Sequence, residues 1–561
     1  MTLQQVHTPA EFTIEPGETC LTALMDTAKK RPHGVMFTRP ANYEWVNVTG
    51  KEFIDEVFEV AQGLIALGVE QGDRIALISA TRYEWSLLDY AIWAAGAASV
   101  PVYPSSSASQ VRWIIEDSGA VLAITETREH SELVENLVLQ DDGEPNLKGS
   151  PSQLRRVLEI NSSAIDTLKF EGRSVGTDEV SARIAATNTD DLASLVYTSG
   201  TTGMPKGVMH NFSNLGFAAS NAIKLFGVGE DDRLISYLPL CHVAERMFIE
   251  LASLYAGQTI FFAESLDTFL ADLKRARPTV MFGVPRIWTK FQMGVYSKMP
   301  AQKLDRLLRL PIIGRFIGRK VLAGLGLDAI RYALSGAAPV PEALLNWYRR
   351  LGMEIQEVYG MTENCGYSHV CLPGRFKQGW IGQNNPGVEV RIAEDGEVQV
   401  RSGATMQGYY KDPLKTAEAL TDDGFLRTGD KGEQDAEGNL RLTGRIKEIF
   451  KTSKGKYVAP APIENRLGEH SRIEQVCVVG DGLPQPIALC VLSDVGRQEA
   501  ANDSRNELES SLKALLAEVN GRLDQHERLQ GLVLVKEVWA VENGFLTPTL
   551  KIKRAVIEGT Y

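Results

Sequence analysis

Short apolar runs separated by amphipathic stretches dominate the chain from about residue 74. RIALIS, ASVPVY and AVLAIT read as buried strands, and EWSLLDYAIWAAG and SASQVRWIIEDSG between them as helices; this alternation predicts βαβ units on a parallel sheet. The second helix marks its own ends. Ser107 and Gln110 have capping-box spacing, Val111, Ile114 and Ile115 share one face, and Gly119 suits a C-terminal turn. Near residue 387 the period changes to two: Val388, Val390 and Ile392 alternate before Asp395-Gly396, and Val398 and Val400 after it, as in a hairpin of a small barrel. From about Arg445, the strands IEQVCVVG and PQPIALCVL and a helix with Leu508, Leu512, Leu515 and Val519 at helical spacing predict a separate α+β unit. The predicted class is α/β: a large N-terminal domain of βαβ sheets plus a small barrel over 1–445, and a smaller α+β C-terminal domain over 446–561.

A chain of 561 residues is too long for one ordinary core, in agreement with that division. Its net charge of -12 speaks against a general nucleic-acid partner and leaves small molecules. Cys20, Cys241, Cys365, Cys371, Cys477 and Cys490 form no CxxC pair, so neither a disulfide framework nor a thiolate zinc site is expected, and a reducing compartment fits. MTLQQVHTPAEF lacks a basic segment followed by an apolar one, and the apolar stretch from Tyr90 to Val102 is broken by Ser99 and Pro101. The expectation is a cytoplasmic protein without a signal peptide or membrane span.

The densest chemistry lies in YTSGTTGMPKGV at 197–208. Thr198, Ser199, Thr201 and Thr202, set among Gly200, Gly203 and Gly207 and followed by Lys206, offer donors and a cation on a backbone free to curve around a polyphosphate. The run is not a Walker A loop, because Pro205 stands where the second glycine belongs and Gly207 where a hydroxyl should follow the lysine. Its G-x-x-G-x-x-x-G spacing also excludes the dinucleotide fingerprint. The alternative is a polar surface loop.

Four later stretches decide between them: SGAAPVP at 335–341, VYGMTE at 358–363, RTGD at 427–430 with TGRIKEIFKTSKGKYVAPAPIEN at 443–465, and LTPTLKIKR at 546–554. With the first, and in this order, they resemble the adenylate-forming superfamily of acyl-CoA synthetases, luciferases and peptide-synthetase adenylation domains. LPLCHVAER, KTSKGKYVAP and LTPTLKIKR are most similar to long-chain fatty-acid CoA ligases. The resemblance implies an N-terminal AMP-binding domain, a mobile C-terminal domain and an enzyme that uses ATP, Mg²⁺ and coenzyme A. A fatty carboxylate would attack the α-phosphate to give acyl-AMP and pyrophosphate, and the acyl group would then pass to the CoA thiol with release of AMP. The first step needs anionic repulsion cancelled by a metal, lysines and oriented donors.

Residue by residue, the resemblance implies that Thr198, Ser199, Gly200, Thr201, Thr202, Gly203 and Lys206 hold the β- and γ-phosphates, that Glu363 and Thr198 hold Mg²⁺, and that Thr362 contacts the α-phosphate. Gly336, Ala337 and Ala338 would form the adenine slot against Tyr359, with Gly360 and Met361 beside it. Asp430 and Arg445 would take the ribose, His242 the acyl carboxylate, and Lys551 the charge that develops during adenylation. Lys447 would be the hinge, and Lys454 and Gly455 would lie near the path of CoA. Singly, Asp430 reads sooner as a turn residue, Arg445 as a surface ion pair and Tyr359 as a core aromatic, and within the ordered set the preference reverses; a lone histidine is usually structural, and His242 has its role from the resemblance alone. Leu550 stands before Lys551 where many relatives have glycine, which leaves Lys553 as a rival. Other readings of the fold are an acyl-AMP ligase that loads a carrier protein, and a non-catalytic fatty-acid-binding protein.

KLDRLLRLPIIGRFIGRK at 303–320 reverses the charge of an acidic chain: Arg306, Arg309, Arg315, Arg319 and Lys320 surround leucines and isoleucines, with Asp305 the single acid. That pattern suggests weak peripheral contact with anionic lipid at the inner membrane surface. The alternative is a helix pair with a solvated basic face.

Overall fold

The computed structural model describes residues 5–15, 17–41, 44–136, 153–198, 204–265, 267–502, 504–541, 543–547 and 551–561. Its central sheet has seven strands in the order Gly408–Tyr409, Lys206–Asn211, Leu192–Thr198, Ala98–Val102, Arg74–Ile78, Leu122–Thr125 and Arg156–Glu159. The last five run parallel, whereas Lys206–Asn211 folds back antiparallel on Leu192–Thr198 and pairs antiparallel with Gly408–Tyr409. The predicted strands and helices at 74–125 all form here. Helix Tyr83–Ala94 is apolar nearly all round and is buried along its length, as a helix between a sheet and a further helical layer must be. Helix Ala108–Ser118 has the predicted caps: Ser107 N–H donates to Gln110 Oε1 at 3.0 Å, Gln110 N–H donates to Ser107 Oγ at 3.4 Å, and Gly119 takes φ +64°.

Two further sheets continue the N-terminal domain. Val280–Gly283, Tyr332–Ser335 and Ile355–Tyr359 run parallel and are extended antiparallel by His369–Val370 and Gln383–Asn384. Arg233–Ser236, Thr259–Phe262, Val35–Ala41 and Glu44–Thr49 make a four-stranded mixed sheet. The hairpin at 387 joins a five-stranded antiparallel sheet, Gln5–His7, Glu389–Ile392, Glu397–Arg401, Leu426–Gln434 and Leu440–Arg445, with Val390 opposite Val400 and Ile392 opposite Val398. Val388, Val390, Val398 and Val400 point into the core, so the period-two pattern is the signature of that burial.

Beyond Arg445 the chain builds a smaller domain: a ribbon of Phe450–Lys451 with Tyr457–Val458, and a three-stranded sheet of Ile473–Val479, Ile487–Leu492 and Leu532–Val535. Helix Arg505–Gly521 covers it with Leu508, Leu512 and Val519. Its apolar clusters draw only on residues from Phe450 onward, and those of the large domain stop at Leu442. Each part therefore holds its own core. Among the described residues no helix is long and apolar enough to cross a membrane.

Candidate active site

Parallel sheets leave their ligand crevice at the carboxyl ends of the strands. Thr198, Ser335-Gly336 and Tyr359-Gly360 all stand at such ends. Thr198 pairs with Lys206 across the hairpin whose tip would carry the phosphate loop; Ser199, Gly200, Thr201, Thr202 and Gly203 lie outside the described residues.

Lys206 Nζ sits 4.1 Å from the centroid of the Tyr409 ring, and Tyr409 Oη donates to Glu363 Oε1 at 2.7 Å. One aromatic thus separates the cation from the carboxylate. The pKa of Lys206 is lowered, first by burial and then by Lys447 and Lys415, against the opposing pull of Glu363. Glu363 is buried on the turn Thr362–Asn364, and its carbonyl accepts Met406 N–H at 2.8 Å. Behind that turn lies His210, fully buried, with Nδ1 3.4 Å from Cys365 Sγ. Burial pushes His210 down to about 4, so it is a neutral wedge under the turn.

Two backbone features shape the slot beside it. A Cβ at Gly336 would lie 2.8 Å from Val358 Cγ2 and 3.1 Å from the Val358 carbonyl, and one at Gly360 only 2.3 Å from the backbone of Gly366. Neither position accepts a side chain without displacement. Ala337 has φ +67° and Cys365 φ +55°, left-handed conformations that cost about 1–3 kcal/mol each and cluster where ligands are held. Gly336 is buried while Ala337 and Ala338 open to solvent, and Ser335 Oγ is buried at the strand end without a hydrogen-bond partner. Tyr359 closes the slot: its hydroxyl donates to Asp430 Oδ2 at 2.7 Å, and Asp430 Oδ1 receives Arg445 Nε at 3.1 Å. Asp430 and Arg445 are cross-strand partners, so the antiparallel ladder itself sets their pairing.

The small domain reaches into the same crevice. Lys551 stands close enough to Arg445, Glu363 and Asp430 for all three to act on its charge; burial and Arg445 lower its pKa, and the two carboxylates oppose them. Its side chain stays accessible to solvent, so burial here means crowding at the cleft wall. Its N–H donates to Thr547 Oγ1 at 3.1 Å and its carbonyl accepts Thr547 N–H at 2.8 Å, a two-bond clamp on the motif. His242 faces Lys551 from the large domain. Burial, and then that ammonium, push it down to about 4, and Nδ1 accepts Ala244 N–H at 3.2 Å, which leaves Nε2 to carry the proton of the neutral ring. Glu245 turns away from His242 to accept Ser236 Oγ and Tyr237 N–H, and no group of three metal-ligating side chains occurs among the described residues. Lys447 lies on the short turn Ile446–Glu448 that joins the domains. Lys454 and Gly455 occupy an exposed turn of the small domain, with no hydrogen bond or ion pair to the crevice among the described residues.

Sequence reasoning missed Tyr409, His210 and Arg246. Arg246 is buried with Asp89 at 2.6 Å, donates to Ser194 Oγ and Ser99 Oγ, and so ties the segment after His242 to the central sheet. The arginine of LPLCHVAER was visible, but its partners come from three distant elements. Tyr409 had no signal at all, since only the pairing of Gly408–Tyr409 with Met209 and Val208 brings it under Lys206.

Comparison with known proteins adds a second line. Residues 24–410 match the model of the AMP-binding enzyme family, and residues 447–555 that of the AMP-binding enzyme C-terminal domain. The long-chain-fatty-acid–CoA ligase FadD15 of Mycobacterium tuberculosis is 35% identical, over 99% of this chain and 98% of that one. The long-chain-fatty-acid–CoA ligase ACSBG2 of Gallus gallus is 27% identical over 93% of this chain and 77% of its own. Among solved structures, a Mycobacterium tuberculosis fatty acyl CoA synthetase superposes with a TM-score of 0.67 at 25% identity, covering 97% of this chain and 98% of that one. ATP-bound MatB from Rhodopseudomonas palustris superposes at 0.73 with 22% identity, covering 98% and 99%.

Proposed function

The chain belongs to the AMP-binding enzyme family, and from that premise we propose that it is an ATP-dependent long-chain fatty-acid CoA ligase acting in two half-reactions at one crevice. One observation supports the reading: Lys551, from a domain with its own core, lies within electrostatic reach of Glu363, Asp430, Arg445 and His242 of the other.

The residues fit the nucleotide. Gly336 and Gly360 keep side-chain atoms out of the slot where a Cβ would not fit, and Ser335 Oγ is a buried hydroxyl there without a partner among the described residues. Tyr359 covers the adenine, and Asp430 accepts the ribose hydroxyls beside Arg445. Magnesium takes hard oxygen donors alongside phosphate oxygens, and the buried carboxylate of Glu363 and the hydroxyl of Thr198 at its strand end would hold it. That ion, when bound, offsets phosphate charge. Lys206 and the phosphate loop fix the β- and γ-phosphates, Thr362 touches the α-phosphate, and Tyr409 keeps Glu363 aimed.

In the first half-reaction the fatty carboxylate oxygen attacks the α-phosphorus and the bond to pyrophosphate breaks; Lys551 stabilises the added charge where the two anions meet. His242, neutral, borders the carboxylate without repelling or protonating it. In the second, the CoA sulfur attacks the acyl carbonyl and AMP leaves. Lys551 must first clear the crevice, so the C-terminal domain, 446–561, pivots on Lys447 against the N-terminal domain, 1–445, and brings Lys454 and Gly455 toward CoA. Coenzyme A is favoured over a carrier protein as acceptor because the full-length relatives are CoA ligases by name. A cytoplasmic location belongs to the same proposal.

The test is AMP and pyrophosphate release across a series of carboxylic acids of increasing length, with and without CoA. Expected are acyl-CoA and AMP with long acids and a stall at acyl-AMP without CoA. Absence of both products with every acid overturns the reading.

A further inference from the structure

The helices Ala301–Leu308 and Pro311–Leu325 form a hairpin on the outside of the large domain. Two glycines bind it tightly on one side. A Cβ at Gly314 would lie 2.4 Å from the Leu308 carbonyl and one at Gly318 2.5 Å from the Leu351 carbonyl, so the second helix packs backbone-close against its partner and against helix Glu342–Leu351. Leu304, Leu322 and Leu325 supply the buried face.

The opposite face is apolar as well, which packing does not explain. Ile312 is 84% exposed, Phe316 68%, Ile313 51% and Leu310 44%, and all four lie within seven residues at the hairpin's turn and on the first turns of the second helix. Scattered single hydrophobes are ordinary on a surface; a contiguous group is not. Around it stand Lys303, Arg306, Arg309, Arg315, Arg319 and Lys320, and among the described residues none of the six makes an ion pair. The local acid, Asp305, is already taken by Arg350 at 3.0 Å. On a chain of net charge -12, six unpaired cations ringing four exposed apolar side chains form a surface complementary to one chemistry: an anionic layer with an apolar interior.

We infer that this hairpin tip docks on the anionic leaflet of a membrane, with Leu310, Ile312, Ile313 and Phe316 entering the headgroup boundary and the six cations lying over lipid phosphates. The inference rests on the proposed ligase activity only for its purpose, since a long-chain acid partitions into that leaflet; the docking surface is defined independently by exposure and charge. A second copy of the chain is disfavoured as occupant because the like charges of two such tips would face each other.

The experiment is sedimentation of the full-length protein with large unilamellar vesicles of phosphatidylcholine alone or mixed with phosphatidylglycerol, at low and high salt. Binding should need phosphatidylglycerol and weaken with salt. The triple variant Arg315→Glu, Arg319→Glu and Lys320→Glu should lower partitioning on the order of 100-fold, and the pair Ile312→Ser and Phe316→Ser about 10-fold or more. Both should unfold at the wild-type temperature and form acyl-CoA from a soluble acid at the wild-type rate. Equal sedimentation of wild type and both variants overturns the inference. So does failure of the wild type to bind phosphatidylglycerol vesicles, or a dimer in solution that only the Ser pair dissolves. A wild type that binds vesicles but releases no AMP with any acid would sink the ligase reading and leave the docking surface standing.

Discussion

Truncating Lys551 to alanine should separate the two half-reactions. The side chain lies within electrostatic reach of Arg445, which lowers its pKa, and of Glu363 and Asp430, which oppose that. On the proposed mechanism adenylation adds the negative charge of a carboxylate attacking a phosphate at that point, and the ammonium is the donor that meets it. Loss of one such group costs about 10²–10³ in rate, or roughly 2.7–4 kcal/mol of transition-state stabilisation. The fold should persist, because the bonds that clamp residue 551 to Thr547 come from its main chain. Pyrophosphate release in a single turnover should therefore fall by that factor, and conversion of supplied acyl-AMP to acyl-CoA should not change. The pH profile gives an independent readout. Lys551 works as the ammonium, and burial and Arg445 lower its pKa, so the alkaline limb of kcat/KM for ATP should lie below the range of an ordinary lysine. Rate is present below that limb and lost above it. Lys551→Arg keeps its charge to beyond about pH 12 and should move the limb upward. Lys206 is also lowered by burial, and Lys206→Arg is the control that assigns the limb to one lysine or the other. Equal loss of both half-reactions in Lys551→Ala, or a limb that only Lys206→Arg moves, would refute the reasoning.

Glu363→Ala should cut Mg²⁺-dependent adenylation 100-fold or more and, by leaving Tyr409 Oη without its acceptor, cost about 1–3 kcal/mol of stability, read as a drop in thermal unfolding temperature; normal turnover at ordinary Mg²⁺ would remove Glu363 from the site. Lys447→Pro substitutes into a 3-10 turn, a conformation whose usual φ suits proline, so it should trap the orientation seen here. Pyrophosphate release in a single turnover should survive while transfer to CoA from supplied acyl-AMP is lost, and unchanged rates in both halves would show that the hinge lies elsewhere. Gly360→Ala places a Cβ 2.3 Å from the backbone of Gly366, which should cost about 1–3 kcal/mol by overpacking and raise KM for ATP as the Glu363 turn is pushed off the strand end; wild-type stability and KM together would mean the turn yields freely.

The sequence was most legible where a local rule decides the outcome. Ser107, Gln110 and Gly119 predict the helix Ala108–Ser118 to the residue because capping is settled within a few positions of the chain. The hairpin at 387 was readable because period two admits only one register with its valines inward. Asp430 and Arg445 were visible as motif residues, but their pairing was not, since it depends on the register of Leu426–Gln434 with Leu440–Arg445 across a shift near Lys431. Tyr409 and His210 show the limit more sharply. Tyr409 bonds Glu363 and His210 packs against Cys365 beside the same turn, yet Tyr409 arrives on a two-residue strand and His210 reads as one more buried residue of Lys206–Asn211 until Cys365 is found against its ring. Non-local contacts that carry no periodicity leave no trace in a single sequence.

The division of the crevice between two cores has an energetic consequence. Because no apolar cluster among the described residues spans Leu442 and Phe450, withdrawing Lys551 breaks up neither core. Among the contacts between the domains is the exposed Arg286–Glu474 ion pair at 3.0 Å, a type of contact worth about 0–1 kcal/mol. On the proposed mechanism two orientations are selected by what occupies the crevice: a ligand can shift such an equilibrium only by its difference in affinity for the two states, and a difference of about 1.4 kcal/mol changes their ratio tenfold. ATP, which gains Lys551, favours the orientation seen here. Acyl-AMP, having lost the pyrophosphate, gains less from that lysine and gives up less when it leaves. On that mechanism the chemical step itself weakens the hold on the small domain, while Arg445, the last residue of the strand before the proposed hinge, is anchored to Asp430 of its own sheet.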